Sequence, residues 1–272
     1  MFVFTRFHHV VVAVNDLEAA AGSWEQVLGK PTGLTREPPW PVSWKSARFA
    51  VGDGWIELAE PTTADSPLRK HLDTYGQGVY SVGVQVDDIT AITARAKAAG
   101  VTVLGDESKS GEAFVDAASI NGVVLSLHDD DVRATGPAVF KRFHHIVVAT
   151  KDQDAAVDHW KKVFGLVVHK EAPRGSVAPH HLPAGEGWFG LTSTGTSASA
   201  LQKFLDRRGE GVYLVCVAVD DPNTTMKAVR ERGGRTIGDE ETDPQVFVHP
   251  STTQGLLLEV RNDSERTLPE EA

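Results

Sequence analysis

Apolar and polar residues follow one another along this chain in blocks that predict strands and helices in a recurring order. Residues 8–14, HHVVVAV, are rich in valine, which is typical of a β-strand. Asp16 follows as the expected cap of a helix that begins at Leu17. Short strands are predicted next, around residues 42–51 and 55–59. The first stretch of the chain therefore predicts a strand, a helix and further strands.

A second cycle of the same kind completes the first half of the chain. It contains a predicted strand at 79–86, Asp87 and Asp88 as helix caps, and a helix that ends near Gly100. Three short strands follow, near 101–104, 113–117 and 122–127. Residues 140–262 pass through the same order again, which gives four βαβββ modules in all. This order predicts an α+β fold with curved sheets that enclose a cleft, a common place for a small-molecule site.

The second half of the chain is a diverged copy of the first. Residues 4–16 recur at 140–152 with 9 of 13 positions identical, and residues 78–88 recur at 211–221 with 8 of 11 identical. A duplicated unit of this size predicts two domains. We expect the first domain to span residues 1–131 and the second to span 140–262. Residues 132–139 are then a linker and residues 263–272 a polar tail.

Composition narrows the classes of function. Of the 272 residues 41% are hydrophobic, which is typical of a globular protein, and the formal charge of −10 without a basic run argues against nucleic acid. No apolar stretch approaches the roughly 20 residues that span a bilayer. Cys216 is the only cysteine, which excludes an intrachain disulfide or a cluster of thiolates. We expect a cytoplasmic monomer or homodimer that binds a small molecule.

Several segments resemble the vicinal oxygen chelate superfamily, which includes glyoxalase I, methylmalonyl-CoA epimerase, extradiol dioxygenases and bleomycin-resistance proteins. The similarity is carried by residues 8–20, 57–72, 76–89 and 249–260, and locally the epimerase and glyoxalase branch is the most similar. The resemblance implies two glyoxalase-like domains, each built from two βαβββ modules. It leaves the reaction open, since one fold supports isomerases, lyases, oxygenases and binding proteins.

The resemblance also implies a divalent metal ion held by one residue from each of four strands. The matching positions of the first half are His9, Glu57, Ser81 and Ser126, and those of the second half are His145, Gly190, Leu214 and Glu259. Neither half has four ligand residues. If the first module pairs with the fourth, one site holds His9, Glu57 and Glu259; if neighbouring modules pair, each half keeps two ligands. The ion could be zinc, manganese, cobalt, nickel or iron, or there could be none.

Each candidate residue also has a purely structural interpretation. His8 and His9 alternate along a strand, so one is expected to face the cleft and the other to pack elsewhere. His145 is more simply a core residue. Glu57 and Glu259 lie among apolar neighbours, so each needs a partner, and Glu259 is predicted to be a metal ligand or a base with a raised pKa. The side chains predicted to contact a substrate are Tyr80, Ser81, Tyr213 and His181.

Three functions follow, in order of preference. The first is a metal-assisted isomerase, epimerase or lyase that acts on a small carbonyl compound through an enediolate-like intermediate, with Glu259 or Glu57 moving the proton. The alternative is a metal-free protein that binds or sequesters a small molecule. The third is an extradiol-type ring-cleavage dioxygenase, for which Leu214 stands where a second histidine is required.

Overall fold

The computed structural model describes residues 3–28, 33–35, 43–105, 111–135, 138–170, 180–194, 199–238 and 245–264. In this part of the chain the strands form two eight-stranded sheets, one in each half. The arrangement confirms the predicted α+β fold of four βαβββ modules. No helix among the described residues has the length and apolar character needed to cross a bilayer.

The first sheet has the strand order β2-β3-β4-β1-β5-β8-β7-β6. β1 runs parallel to β4 and antiparallel to β5, so the first two modules join through their opening strands. The elements are β1 Phe4–Ala13, α1 Leu17–Leu28, β2 Gly33–Thr35, β3 Trp44–Val51, β4 Gly54–Pro61, α2 Pro67–Tyr75, β5 Gly78–Val86, α3 Ile89–Ala98, β6 Val103–Leu104, β7 Glu112–Val115 and β8 Val124–His128.

The second sheet repeats this order as β10-β11-β12-β9-β13-β16-β15-β14. β9 and β13 are antiparallel neighbours, so the third module pairs with the fourth, and the alternative pairing of the first with the fourth is wrong. The elements are β9 Arg142–Ala149, α4 Gln153–Phe164, β10 His169–Lys170, β11 His180–Ala184, β12 Gly187–Thr192, α5 Ala200–Arg208, β13 Gly211–Val219, α6 Pro222–Glu231, β14 Thr236–Ile237, β15 Val246–Val248 and β16 Leu258–Asn262.

Aspartate side chains cap the crossover helices, as the sequence predicts. Asp16 accepts a hydrogen bond from the backbone N–H of Ala19 at 3.0 Å. Asp88 and Asp221, the second members of their Asp pairs, also accept from backbone N–H groups at the starts of α3 and α6. These bonds satisfy N–H groups that have no partner within the helix.

The helices of the four modules lie between the two sheets. α1 packs against α6 and α3 packs against α4. One buried cluster joins Trp24 of α1, Trp160 of α4, and the residues of β1 that face them, Val10 and Val12. Because side chains alternate along a strand, Val11 points to the opposite, concave face. The concave faces of the two sheets therefore point away from the shared core.

Two additional helices, α2 and α5, cover one end of each concave face and were not predicted. α2 begins at Pro67 after Ser66 and buries Leu68 and Leu72 against Val11 of the sheet. α5 begins after Ser199, whose side chain accepts a hydrogen bond from the backbone N–H of Gln202. Each half is thus a βαβββ pair with a short helix inserted before its second module.

The two halves hold each other through reciprocal hydrogen bonds. Trp160 of the second half donates from Nε1 to Oδ1 of Asn121 at 3.0 Å. In the mirror contact, Trp24 of the first half donates to Oε1 of Gln254. Asn121 and Gln254 occupy corresponding turns and have positive φ angles of 51° and 47°. Each half therefore packs one of its turns against a helix of the other half.

The glycines that follow these turn residues meet backbone of the opposite half. A Cβ atom on Gly122 would lie 2.0 Å from the backbone oxygen of Glu210, and one on Gly255 would lie 2.2 Å from that of Gln77. Both glycines also have positive φ angles, which a residue with a side chain adopts at a cost. Glycine is required at both positions by the close approach and by the backbone conformation.

Candidate functional site

A β-bulge places two consecutive histidines on the same face of the first sheet. Phe7 pairs with Val84 and His9 pairs with Gly83, so His8 is an extra residue without a cross-strand partner. Such a bulge interrupts the alternation of side chains. His8 and His9 both project onto the concave face, and the prediction that one of them packs elsewhere is wrong.

Three histidines meet on this face of the first half. The ligand atoms of His8, His9 and His128 all lie within 4.8 Å of one another. The Nδ1 atoms of His8 and His9 are 2.8 Å apart, and the ring of His8 stacks on that of His128 with centroids 4.2 Å apart. All three side chains are buried. We call these three residues the first histidine cluster.

Burial keeps the first histidine cluster uncharged. It lowers the pKa of His8 to about 4. Burial and the neighbouring His8 lower the pKa of His128 to about 3. Burial, His128 and His8 together lower the pKa of His9 well below its ordinary value. A neutral imidazole has a lone pair available on one nitrogen atom, which is the form in which histidine binds a metal ion.

Carboxyl groups surround the cluster. Asp130 places one oxygen 3.3 Å from Nε2 of His8 and the other 3.6 Å from Nδ1 of His128. Glu112 places Oε1 3.6 Å from Nε2 of His128, and its side chain is 38% exposed. Burial and the charges of Asp130 and Glu57 raise the pKa of Glu112. Carboxylates in such positions orient histidine ligands in metal sites.

Glu57 lies on the same concave face but is already engaged. Its two carboxylate oxygens accept hydrogen bonds from Nε1 of Trp44 at 3.2 Å, Nε of Arg48 at 2.9 Å and Nε1 of Trp55 at 3.2 Å. The ring of Trp55 stacks on that of His9, with centroids 5.3 Å apart. Three of the roughly four lone-pair sites of this carboxylate are therefore already occupied.

Tyr80, one of the predicted substrate-contacting residues of the first half, packs beside α2. A second irregularity in the pairing of β1 with β5 accompanies Tyr80, which packs with Val11 at the edge of the concave face. Ser81 pairs with Val11 and is buried. Tyr80 makes an edge-to-face contact with His71 of α2, with centroids 5.6 Å apart.

His71 is expected to weaken the fold as the solution becomes acidic. Burial and the positive charge of Arg208 lower its pKa from 6.5 to about 4, so the folded protein binds a proton less readily than the unfolded chain. As pH falls through this interval, stability is lost at up to about 1.4 kcal/mol per pH unit for this one group.

The second half supplies the control for this prediction. There the corresponding pair is Phe204 and Tyr213, whose ring centroids are 5.4 Å apart. The variant His71→Phe should therefore retain the packing and show a shallower loss of unfolding free energy below pH 6.5 than the natural protein. Urea titrations at a series of pH values measure this difference. Parallel pH profiles for the two proteins would contradict the prediction.

The second half contains a matching bulge with different neighbours. Cys216 pairs with His145 and Val217 with Phe143, so His144 is the extra residue. The Nδ1 atoms of His144 and His145 are again 2.8 Å apart. Their ligand atoms and Sγ of Cys216 lie within 4.8 Å of one another, and all three residues are buried. His145 stacks on Trp188 with centroids 5.0 Å apart, as His9 does on Trp55.

Glu259 completes this arrangement. Its Oε2 atom lies 3.2 Å from Nε2 of His145, and its Oε1 atom accepts from Nε of Arg261 at 2.7 Å. Burial works against ionisation of Glu259, but the hydrogen bond to His145 and the charges of His145 and Arg261 outweigh it and lower the pKa to about 2. The alternative that Glu259 is a base with a raised pKa is therefore wrong.

The other side chains predicted for the site of the second half pack against neighbouring residues of the same half. His181 pairs with Gly190 and lies beside the ring of Trp188, with centroids 5.0 Å apart. Leu214 is buried, and Tyr213 packs against α5. His181 and His145 therefore contact the same indole ring, that of Trp188.

The predicted ligand set of His9, Glu57 and Glu259 is not brought together. His9 and Glu57 lie on the first sheet, whereas Glu259 lies on β16 of the second. His8, His128, His144 and the position of Cys216 were not predicted as parts of a site from the sequence. Two signals were available: the repeated His-His pair, and the spacing of His128 two residues after Ser126, which puts both on one face of a strand.

The donor atoms of the first histidine cluster fit a transition-metal ion. Nitrogen ligands bind zinc at about 2.0–2.1 Å, so two ligands of one ion lie no more than about 4.2 Å apart. The Nδ1 atoms of His8 and His9 meet this condition, and at 2.8 Å they share a hydrogen bond that a bound ion would replace. Three imidazoles suit zinc, copper, iron or nickel, and Asp130 stands behind two of them as an orienting carboxylate.

Comparisons with known proteins agree with the repeated architecture. Residues 8–118 and 142–260 each match a family described as the glyoxalase/bleomycin resistance protein/dioxygenase superfamily. The chain is 34% identical over 127 residues to the ethylmalonyl-CoA/methylmalonyl-CoA epimerase of Cereibacter sphaeroides, which is 46% of this chain and 90% of that protein. It is 32% identical over 130 residues to the mitochondrial methylmalonyl-CoA epimerase of Bos taurus, 45% of this chain and 73% of that protein.

A solved structure matches both halves at once. A mutant of 4-hydroxymandelate synthase from Streptomyces coelicolor superposes with a TM-score of 0.75 over 94% of this chain and 92% of that chain. The sequence identity is 17%, so the match shows a common fold. The tandem arrangement of two domains is thus shared with a protein of very different sequence.

Proposed function

Because this chain belongs to the glyoxalase/bleomycin resistance protein/dioxygenase superfamily, we propose that it is a metal-assisted enzyme that moves a proton at the carbon next to a carbonyl group. The observation that carries the proposal is the first histidine cluster, three buried neutral imidazoles on a concave face. The epimerase relatives support an isomerase or epimerase reaction over a lyase reaction.

His8, His9 and His128 would hold the ion. A divalent ion bound there would act as a Lewis acid that stabilises negative charge on the carbonyl oxygen of the substrate. Asp130 orients His8 and His128 through its two carboxylate oxygens. Trp55 fixes the ring plane of His9 by stacking on it, and Glu57 fixes Trp55 in turn through its indole N–H.

Glu112 is the carboxyl group best placed to move the proton. Its side chain reaches His128 and is still in contact with solvent, so a substrate in the cleft can approach it. Glu57 is only 7% exposed and its oxygens already accept three N–H groups. The catalytic roles predicted from the sequence for Glu57 and Glu259 stay predictions, but the contacts favour Glu112.

Arg48 gives the cleft a positive group near the cluster. Its guanidinium lies 4.8 Å from the centre of the Trp55 ring and its side chain is 45% exposed. A carbonyl substrate that also carries a carboxylate would gain from this charge, since Arg pairs readily with planar anions. Methylmalonyl-CoA, the substrate named for the relatives, has such a carboxylate and is the first compound to assay.

Hydrogen exchange tests the proposal directly. The protein is loaded in turn with zinc, manganese, cobalt, nickel or ferrous iron and incubated with methylmalonyl-CoA in deuterium oxide. We expect deuterium to enter the carbon next to the thioester carbonyl faster than in buffer, and Glu112→Gln to lower that rate about 100-fold when both proteins are saturated with the metal ion. Mass spectrometry of the substrate measures the exchange.

Exchange and binding measurements on the same compounds separate turnover from binding. Absence of exchange with methylmalonyl-CoA and with a panel of small 2-hydroxy ketones, in every metal form, would overturn the proposed activity. Tight binding of one of these compounds without exchange would favour the alternative of a small-molecule binding protein. Isothermal titration of the same compounds distinguishes these two results.

A further inference from the structure

We propose that the second half holds a separate metal site of different chemistry, in which His144, His145 and the thiolate of Cys216 bind a thiophilic divalent ion. The site is independent of the proposed reaction, because its residues lie on the other sheet. The corresponding cluster among the described residues of the first half, the first histidine cluster, contains only nitrogen donors.

The pairing of strands brings these groups into one line across the sheet. His145 pairs with Trp188 on one side and with Cys216 on the other, and Cys216 pairs with Glu259. Side chains in register on neighbouring strands are close enough to act on one ligand. The thiol and the carboxylate therefore lie next to the imidazole because of the fold, and no flexible loop is involved.

The corresponding line in the first half shows what has changed. There His9 pairs with Trp55 and with Gly83, and Gly83 pairs with Ser126. Gly83 leaves room for the imidazole, since a Cβ there would lie 2.5 Å from Nδ1 of His9. In the second half a thiol replaces the glycine and a carboxylate replaces the hydroxyl. Both replacements add a strong metal ligand or an anion to a buried face.

The hydrogen bonds of the second half arrange the imidazole for metal binding. When His145 is neutral, its Nε2 donates to Glu259 and its lone pair is on Nδ1. That Nδ1 faces Nδ1 of His144 at 2.8 Å. A carboxylate behind a histidine in this way fixes the tautomer and raises the donor strength of the ligand nitrogen. Arg261 holds Glu259 from the other side and keeps it in place.

The donor set determines the class of ion. Thiolate and imidazole together suit zinc or cobalt(II), whereas oxygen-rich sites select magnesium, calcium or manganese. The ordinary alternative for a buried cysteine is a small apolar core residue. The two alternatives differ in one measurable respect, because only a ligated thiolate adds a sulfur-to-metal charge-transfer band to the spectrum of a bound metal ion.

Cobalt(II) titration of the full chain tests the proposal. We expect about two cobalt ions to bind per chain, one of them with the near-ultraviolet absorption of a thiolate-to-cobalt charge transfer. Cys216→Ser should abolish this absorption and reduce the bound cobalt to about one equivalent. His128→Ala, in the first histidine cluster, should remove the other equivalent and leave the absorption unchanged.

Other variants keep the test decisive. Circular dichroism verifies that each variant folds. If Cys216→Ser does not fold, Cys216→Ala or His145→Asn replaces it in the cobalt titration. A charge-transfer absorption that persists without Cys216, or its absence from natural protein that binds cobalt, would overturn the proposal. If the protein shows the thiolate-to-cobalt absorption but catalyses no hydrogen exchange, the result contradicts the reaction proposed for the first half. The metal site proposed for the second half is then unaffected.

Discussion

The variant His9→Ala is expected to lose the metal ion of the first half and, with it, the proposed hydrogen exchange. His9 contributes one of two Nδ1 atoms that lie 2.8 Å apart, and its ring is fixed against Trp55. Loss of an outer-shell partner alone costs about 10- to 100-fold in metal affinity, so loss of a ligand should cost more than about 100-fold. Asp130→Asn, which alters only the orienting carboxylate, should fall within the smaller range.

Elemental analysis of the purified variants measures this result. His249→Ala is the matched control, because His249 lies in a turn of the second half and bonds to Ser251. It should bind as much metal as the natural protein. If His9→Ala kept its metal content and its affinity, the first histidine cluster would not be a metal site, and the proposed function would lose its main support.

The variant Gly122→Ala is expected to destabilise the whole molecule. A methyl group at this position would lie 2.0 Å from the backbone oxygen of Glu210, and the φ angle of 74° is unfavourable for alanine. The backbone term alone costs about 1–2 kcal/mol. The added methyl group would also overlap a backbone atom of the other half and force the turn away from the segment it packs against. We therefore expect a total loss of about 4 kcal/mol in the free energy of unfolding.

Gly100→Ala separates the two contributions. Gly100 has a similar φ angle of 86°, but a Cβ atom there would meet no atom within 4 Å. It should therefore lose only the backbone term of about 1–2 kcal/mol. Urea denaturation of the natural protein and both variants gives the free energies of unfolding. Equal losses in the two variants would mean that the close approach of Gly122 to Glu210 does not occur in solution.

The architecture could be predicted because it depends on repeated local patterns. Valine-rich strands, aspartate caps and the internal copy fixed the number and order of the modules, as with Asp88 before α3 and Asp221 before α6. α2 also left a signal, because Ser66 and Pro67 form a typical helix start and Leu68 and Leu72 are four residues apart.

The candidate site could not be predicted in the same way, because it depends on departures from regular pairing. Alternation along a strand assigns His8 and His9 to opposite faces, and only the bulge in the pairing with β5 puts them on one face. The partners of Glu57 come from positions 44, 48 and 55, which a single sequence does not connect. The ionisation of Glu259 likewise depends on Arg261 and His145, which reach it in the folded protein.

The reciprocal turns between the halves make this chain equivalent to a dimer whose two subunits are joined by a peptide linker. In a symmetric dimer of identical chains every substitution appears twice, so a change that creates a new site also removes the old one. Here Cys216 and Gly83 occupy equivalent positions in the two halves, and either can be substituted without changing the other. Stability is shared across the contact of Asn121 with Trp160 and of Gln254 with Trp24, while each cleft belongs to one half alone. Covalent linkage thus allows one cleft to change its chemistry while the other retains its own.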